Sequence, residues 1–245
     1  MKQTLAIVVL LLFLIDEVTA NSEPLLTSEK VITLGVVEFP PLVIKHVKDD
    51  SCYGEAIDVT SKILRELDYI VNVECIPPVR LFARVKTGHV DLTINVRGTL
   101  ALDDNVTFVS KPFINLSIIL AQNPRFNSDK VVSAIRGYDY FGERKRLKEE
   151  GFTFFDAANS TDAIRMFLMQ RTSHLISYKQ PYLYYLNNFS NTSISSDLSE
   201  RLTIPSYLAV SKTSKYRVVL LEDLHTVTEA LKGETIFNSY RKKGD

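Results

Sequence analysis

The 245 residues carry 29 basic and 29 acidic side chains, with 45% apolar and 24% charged residues. That balance excludes a bulk charge that would draw the chain to nucleic acid or an anionic membrane, and the apolar share suits a globular protein. The length admits one large domain or two modest lobes.

Met1-Lys2 gives a positive start, Leu5 to Ile15 is an unbroken apolar run, and Val18-Thr19-Ala20 supplies small residues where a signal peptidase cuts. The run is about 11 residues against the ~20 a spanning helix needs, so residues 1–20 read as a cleaved signal peptide with Asn21 as the mature start. No Cys follows the run, so a lipoprotein anchor is not expected. The expected location is the periplasm. Residues 21–30 read as a loose leader.

Val31 to Val37 is a β-branched run that predicts a buried strand, ended by Glu38-Phe39-Pro40-Pro41. Residues 45–54 predict a charged loop. Ala56, Ile57, Val59, Ile63, Leu64 and Leu67 recur at helical spacing. A second strand is expected from Tyr69 to Ile76, a short helix from Val79 to Thr87 with Gly88 at its C-terminus, and a third strand from Val90 to Asn95. This β-α-β-α-β alternation predicts a parallel sheet with helices on its faces. Residues 98–112 read as irregular, Phe113 to Ala121 as a strand, and 123–129 as a polar crossing. The alternation then repeats: strand Val131–Ile135, helix 139–150, strand Phe152–Asp156, a helix capped by Ser160 and Thr161, strand Leu175–Tyr178, and a Tyr-rich helix from Pro181 to Phe189. Residues 190–200 predict a polar loop, Leu202 to Ser211 a strand containing Pro205, and Lys215 onward C-terminal helices. The basic stretches Arg144–Arg146 and Arg241–Lys243 read as a solvated helix face and a polar C-terminus. The fold class expected is α/β, with two similar units joined by two extended strands and a cleft between them, where ligands bind.

Two cysteines, Cys52 and Cys75, form an even pair in an exported chain and predict a disulfide. In a parallel β-α-β unit both lie at one edge of the sheet. The four histidines have no spacing that makes a metal site or a Cys/His nucleophile, so no metal or cofactor is expected. The carboxylates Glu38 and Asp58 do not make a convincing acid/base pair, and no enzyme is expected.

Several motifs, in order, resemble a known family. Gly35 to Pro41 resembles a first strand with an aromatic-Pro element, and Gly54 to Asp58 a G-x-x-x-D helix start. Gly88-His89-Val90-Asp91 resembles a G-x-x-D strand entry, and Phe108 to Phe113 an F-S-x-P-[YF] element. Ile135 to Tyr140 resembles a strand-to-helix turn. Together they resemble the type II periplasmic solute-binding proteins, family 3, typified by polar amino-acid binders of ABC transporters, over about residues 31 to 242. The resemblance implies two mixed sheets joined by a two-strand hinge. Lobe 1 would hold 31–121 plus 206–245, and lobe 2 residues 122–205. It also implies a monomer that closes on a small polar ligand, anionic or amino-acid-like, and delivers it to an ABC permease. A membrane sensor role or, less favoured, a dehydratase on the same fold are the alternatives.

The chain departs from the family where an Arg would pair with a ligand carboxylate and Asp103 stands instead, with Arg97 as the nearest substitute. Where an acidic residue would hold an ammonium, Lys179 stands instead. The expected ligand contacts are Phe39, Arg80, Asn95, Arg97, Arg136, Tyr138 and Lys179. The competing readings are core packing for Phe39, a salt bridge to Asp103 or Asp104 for Arg97, a plain turn for Arg136 and Tyr138, and a solvated helix start for Lys179. Four of the seven are basic, so the ligand is expected to carry at least one anionic group.

Overall fold

A computed structural model describes residues 29–46, 48–126, 129–188 and 196–241. The expected signal peptide lies outside them. The β-branched run forms β1 (Lys30–Val36), followed by a two-strand hairpin, β2 (Ile44–Lys45) and β3 (Cys52–Tyr53), inside the expected loop. Next come α1 (Glu55–Glu66), β4 (Tyr69–Cys75), α2 (Pro78–Lys86) and β5 (Leu92–Val96). The helical spacing has its physical counterpart: α1 buries Ala56, Ile57, Thr60, Ser61, Ile63 and Leu64, and α2 buries Leu81, Phe82 and Val85. β1 pairs in parallel with β4 and β5, as the alternation requires. Asp91 of the G-x-x-D stretch is structural: its carboxylate accepts from the Thr33 N–H at 2.9 Å and the Ser214 hydroxyl at 2.5 Å.

Two expectations fail between β5 and the second unit. Residues 98–112 are not irregular throughout; they contain α3 (Leu100–Asp103) and β6 (Val106–Phe108). Both elements are too short for a periodic pattern to show. After β7 (Ile114–Gln122), a 3-10 turn (Pro124–Phe126) and β8 (Val131–Ile135), the expected helix 139–150 shortens to α4 (Glu143–Glu149). Tyr140, Phe141 and Gly142 all have positive φ, and Asp139 Oδ2 accepts from the Gly142 N–H at 2.6 Å, so an Asp-closed turn replaces the first helical turn.

The unit continues with β9 (Thr153–Ala157), α5 (Ser160–Leu168), β10 (His174–Tyr178), α6 (Lys179–Asn188), β11 (Asp197–Ser211), α7 (Arg217–Glu229) and α8 (Ile236–Arg241). The α5 cap is Asn159, whose Oδ1 accepts from the Asp162 N–H at 2.8 Å, and not Ser160 or Thr161. Residues 197–200, expected in a loop, begin β11.

Apart from the β2–β3 hairpin, the strands make one hydrogen-bonded sheet in the order β4-β1-β5-β11-β7-β10-β8-β9, with β6 also on β11. The expected break into two sheets is absent from the pairing because the 15-residue β11 serves both halves: it pairs β7 from Asp197 to Ser206 and β5 from Ser206 to Val210. The pairing is mixed, with β8 parallel to β9 and β10, and β7 and β11 antiparallel to their neighbours. One apolar cluster packs α1, α7 and α8 on β1. A second runs from α2 and β5 to β8 and β10, and a third packs α5 and α6.

Cys52 and Cys75 are disulfide-bonded, with Cα atoms 5.3 Å apart, as the shared sheet edge predicts. Next to the bond, Gly54 has φ +137°, and a Cβ there would lie 2.4 Å from the Leu42 carbonyl oxygen. No helix among the described residues is long and apolar enough to cross a membrane. Among the same residues no group of His, Cys, Asp and Glu could hold a metal.

Candidate functional site

Four parallel-type strands, β1, β5, β8 and β10, deliver their C-terminal ends to one place, where open α/β sheets hold ligands. A cavity of about 90 Å³ lies there. That is several times what one water needs, about 10–15 Å³. β1 and its continuation contribute Val36 to Phe39, β5 contributes Ile94 to Val96, and β10 contributes Tyr178. The β8–α4 turn adds Ile135 and Tyr138, α5 adds Ser160, and the long strands β7 and β11 add Leu116 and Ser206. The lining is chiefly apolar. Its single ionisable acid is Glu38, and no Lys, Arg or His is part of it.

Three of the expected contacts meet in this cavity: Phe39, Asn95 and Tyr138. The Phe39 ring packs edge-on against Tyr178 with centroids 5.1 Å apart. Asn95 is 7% exposed and its Oδ1 accepts from the Val96 N–H at 2.8 Å. Tyr138 is buried, and burial pushes its phenol up to about 12, opposed by a hydrogen bond with Asn95.

The four cations are elsewhere. Arg80 is exposed on α2. Arg97 is exposed and lays its guanidinium over Tyr207 at 4.3 Å and Phe108 at 5.4 Å. Its expected partner Asp103 instead accepts from the Gly98 N–H at 2.6 Å, which closes its own turn. Arg136 is exposed and reaches the Asp156 carbonyl at 3.4 Å. Lys179 pairs with Glu200. Lys179 is the first residue of α6, outside the strand that carries Tyr178. Asp58 is exposed on α1, so no Glu38–Asp58 pair forms.

Sequence reasoning undervalued Glu38 and Ser160 and missed Tyr178, Tyr185 and Ser206. Glu38 also lines a polar cleft of about 270 Å³, shared with Lys45, His46, Asp50, Thr161 and Arg165 among others. There the Tyr185 hydroxyl donates to Glu38 Oε1 at 2.7 Å and lies 2.8 Å from Thr161 Oγ1. Burial and the neighbouring carboxylate both raise the Tyr185 phenol. Glu38 thus stands where an apolar chamber meets a wet, charged vestibule. The available signal was its position before Phe39-Pro40-Pro41, a stretch that cannot continue the strand.

No protein-family model matches the chain, and no curated protein matches it significantly. Solved structures do. An ancestral arginine-binding protein bound to arginine is similar with a TM-score of 0.71 at 17% identity, over 88% of this chain and 98% of the other. A histidine kinase sensor domain with similarity to periplasmic binding proteins follows at TM-score 0.66 and 16% identity, over 88% and 92%. The substrate-binding protein of an amino acid ABC transporter matches at TM-score 0.65 and 16% identity, over 87% and 94%. The chain shares the α/β fold of these proteins.

Proposed function

We propose that the chain is an exported small-molecule-binding protein that closes on its ligand, leaves it chemically unchanged and delivers it to an ABC importer. In this reading residues 31–121 plus 206–245 form one lobe, 122–205 the other, and β7 with the overlapping part of β11 the hinge. The observation that carries it is the cavity at the C-terminal ends of β1, β5, β8 and β10, lined from both halves of the chain. A lining drawn from side chains far apart in sequence is what hinge closure produces. The single lining acid, Glu38, has no second carboxylate or histidine beside it in the cavity, which favours binding over acid/base turnover. The expected anionic ligand loses its support, because the four cations meant to hold it lie outside the cavity.

A thermal-shift screen of the mature protein against amino acids, dicarboxylates, amines and small neutral alcohols and amides tests this reading. A ligand that binds only the folded state raises the midpoint by mass action. One class should do so, and mass spectrometry should recover it unaltered. Conversion of the ligand, or no shift with any class, would overturn the proposal. A sensor role uses the same closure, as the fold of the histidine kinase sensor domain suggests. Capture of a permease from membranes by the liganded protein supports the importer; capture of a receptor supports the sensor.

A further inference from the structure

Ser160 is 2% exposed, lines the cavity, and its hydroxyl has no hydrogen-bond partner. It stands at the start of a helix, where a serine usually caps, yet Asn159 performs that task. Its hydroxyl is therefore left over. The other polar lining groups are largely engaged. Ser206 donates to the Ile114 carbonyl at 3.0 Å, Asn95 Oδ1 accepts from the Val96 N–H, and Glu38 accepts from Tyr185. The idle group is neutral, and no cation lines the cavity to hold an anion. An ammonium ion would meet one carboxylate, Glu38, whose Oε1 already accepts from Tyr185 at the border with the vestibule. A buried polar group without a partner is destabilising, so the complement of this wall is one neutral hydrogen-bonding group on an apolar body.

Resting on the binding role proposed above, we infer that the cavity takes a compact uncharged molecule, a branched or cyclic aliphatic body with a single polar group held by the Ser160 hydroxyl. Size follows from the volume. A dry apolar cavity of about 150 Å³ takes benzene, so the 90 Å³ here admits something smaller, of about five heavy atoms. Ligands that small reach at best about micromolar affinity.

Three near-isosteres separate the charge classes: isobutanol, isobutylamine and isobutyrate, titrated by calorimetry into the mature wild-type protein and Ser160→Ala. Isobutanol should bind in the sub-millimolar range, at least tenfold tighter than either ion. Ser160→Ala should weaken it about tenfold while the unliganded midpoint stays level or rises, because an idle buried hydroxyl has been removed. Equal or tighter binding of either ion overturns the inference, and so does a lowered unliganded midpoint in Ser160→Ala. If isobutanol fails but a charged compound from the wider screen binds, the ligand class is wrong and the binding role stands. If nothing binds in either experiment, both fall.

Discussion

Arg144 shows how much one side chain does for the turn that carries Tyr138. Its Nε donates to the Tyr138 carbonyl at 2.7 Å and its guanidinium to the Ile135 carbonyl at 2.8 Å. It also pairs with Asp156 at 2.8 Å, with its side chain only 14% exposed, and lies over the Phe154 ring at 4.4 Å. The planar fork joins two carbonyls of one turn to a neighbouring strand, a task a lysine point charge does not reproduce. This corrects the reading of Arg144–Arg146 as a solvated face; Arg146 fits it better, being half-exposed, although paired with Glu143. Arg144→Met keeps much of the stem and leaves two part-buried carbonyls without their donor and Asp156 without its ion-pair partner. The expected loss is about 2–4 kcal/mol in urea unfolding, and a loss below ~1 kcal/mol would show that the turn holds itself. At this scale the site was half legible. Backbone punctuation located Phe39, Asn95 and Tyr138 because strand ends and prolines fix where a side chain emerges. The cations were misplaced because charge type says nothing about direction: Arg97 lies between the end of β5 and Gly98, whose φ is +85°, in a turn outside the strand alternation.

Among the elements, the β2–β3 hairpin is the least supported by its own sequence. It has two residues per strand and one short ladder, and isolated hairpins are marginal. The disulfide ties it to the end of β4, next to the chain segment whose Leu42 and Val43 line the cavity. The closed loop spans 23 residues, for which the chain-entropy model gives about 3 kcal/mol. The double variant Cys52→Ala/Cys75→Ala should lose roughly that much in urea unfolding. A loss under ~1 kcal/mol would mean that the hairpin docks without the bond. The same scale explains which elements could be read from sequence. β1, α1, β4 and α2 carry sustained apolar periods and were legible. α3 and β6 are four and three residues long and leave no period to detect. β11 hid its first five residues, Asp197 to Arg201, because the first four are exposed and all but Leu198 are polar. Its Pro205 is tolerated where β11 has β7 on one side and β5 has not yet joined, since that pairing starts at Ser206.

At the scale of the whole molecule, the two parts of the chain are held together around the apolar-walled cavity. Apolar packing does part of it, since one cluster runs from α2 and β5 to β8 and β10. The local pattern made the alternation of strands and helices legible in both parts of the chain, but not the contacts between them, which join residues far apart in the chain. Glu38 and Tyr185 are 147 positions apart and meet at 2.7 Å. Phe39 and Tyr178 meet ring to ring beside them. In the two-lobe reading both contacts cross the cleft, so they exist only when it is shut. A hydrogen bond to a carboxylate contributes about 1.5–3 kcal/mol when buried. Glu38 also faces the wet vestibule, so about 1 kcal/mol is the reasonable share here. Tyr185→Phe removes the hydroxyl and keeps the ring. The closed fraction then drops, and apparent affinity falls with it, because only the closed form is competent. About 1 kcal/mol corresponds to a roughly fivefold weaker dissociation constant. Small-angle scattering should show a larger radius for unliganded Tyr185→Phe than for wild type, and the same radius for both at saturating ligand. Equal radii and equal affinities in the two proteins would show that this hydrogen bond does not govern closure, and that the shared apolar cluster alone sets the spacing of the halves.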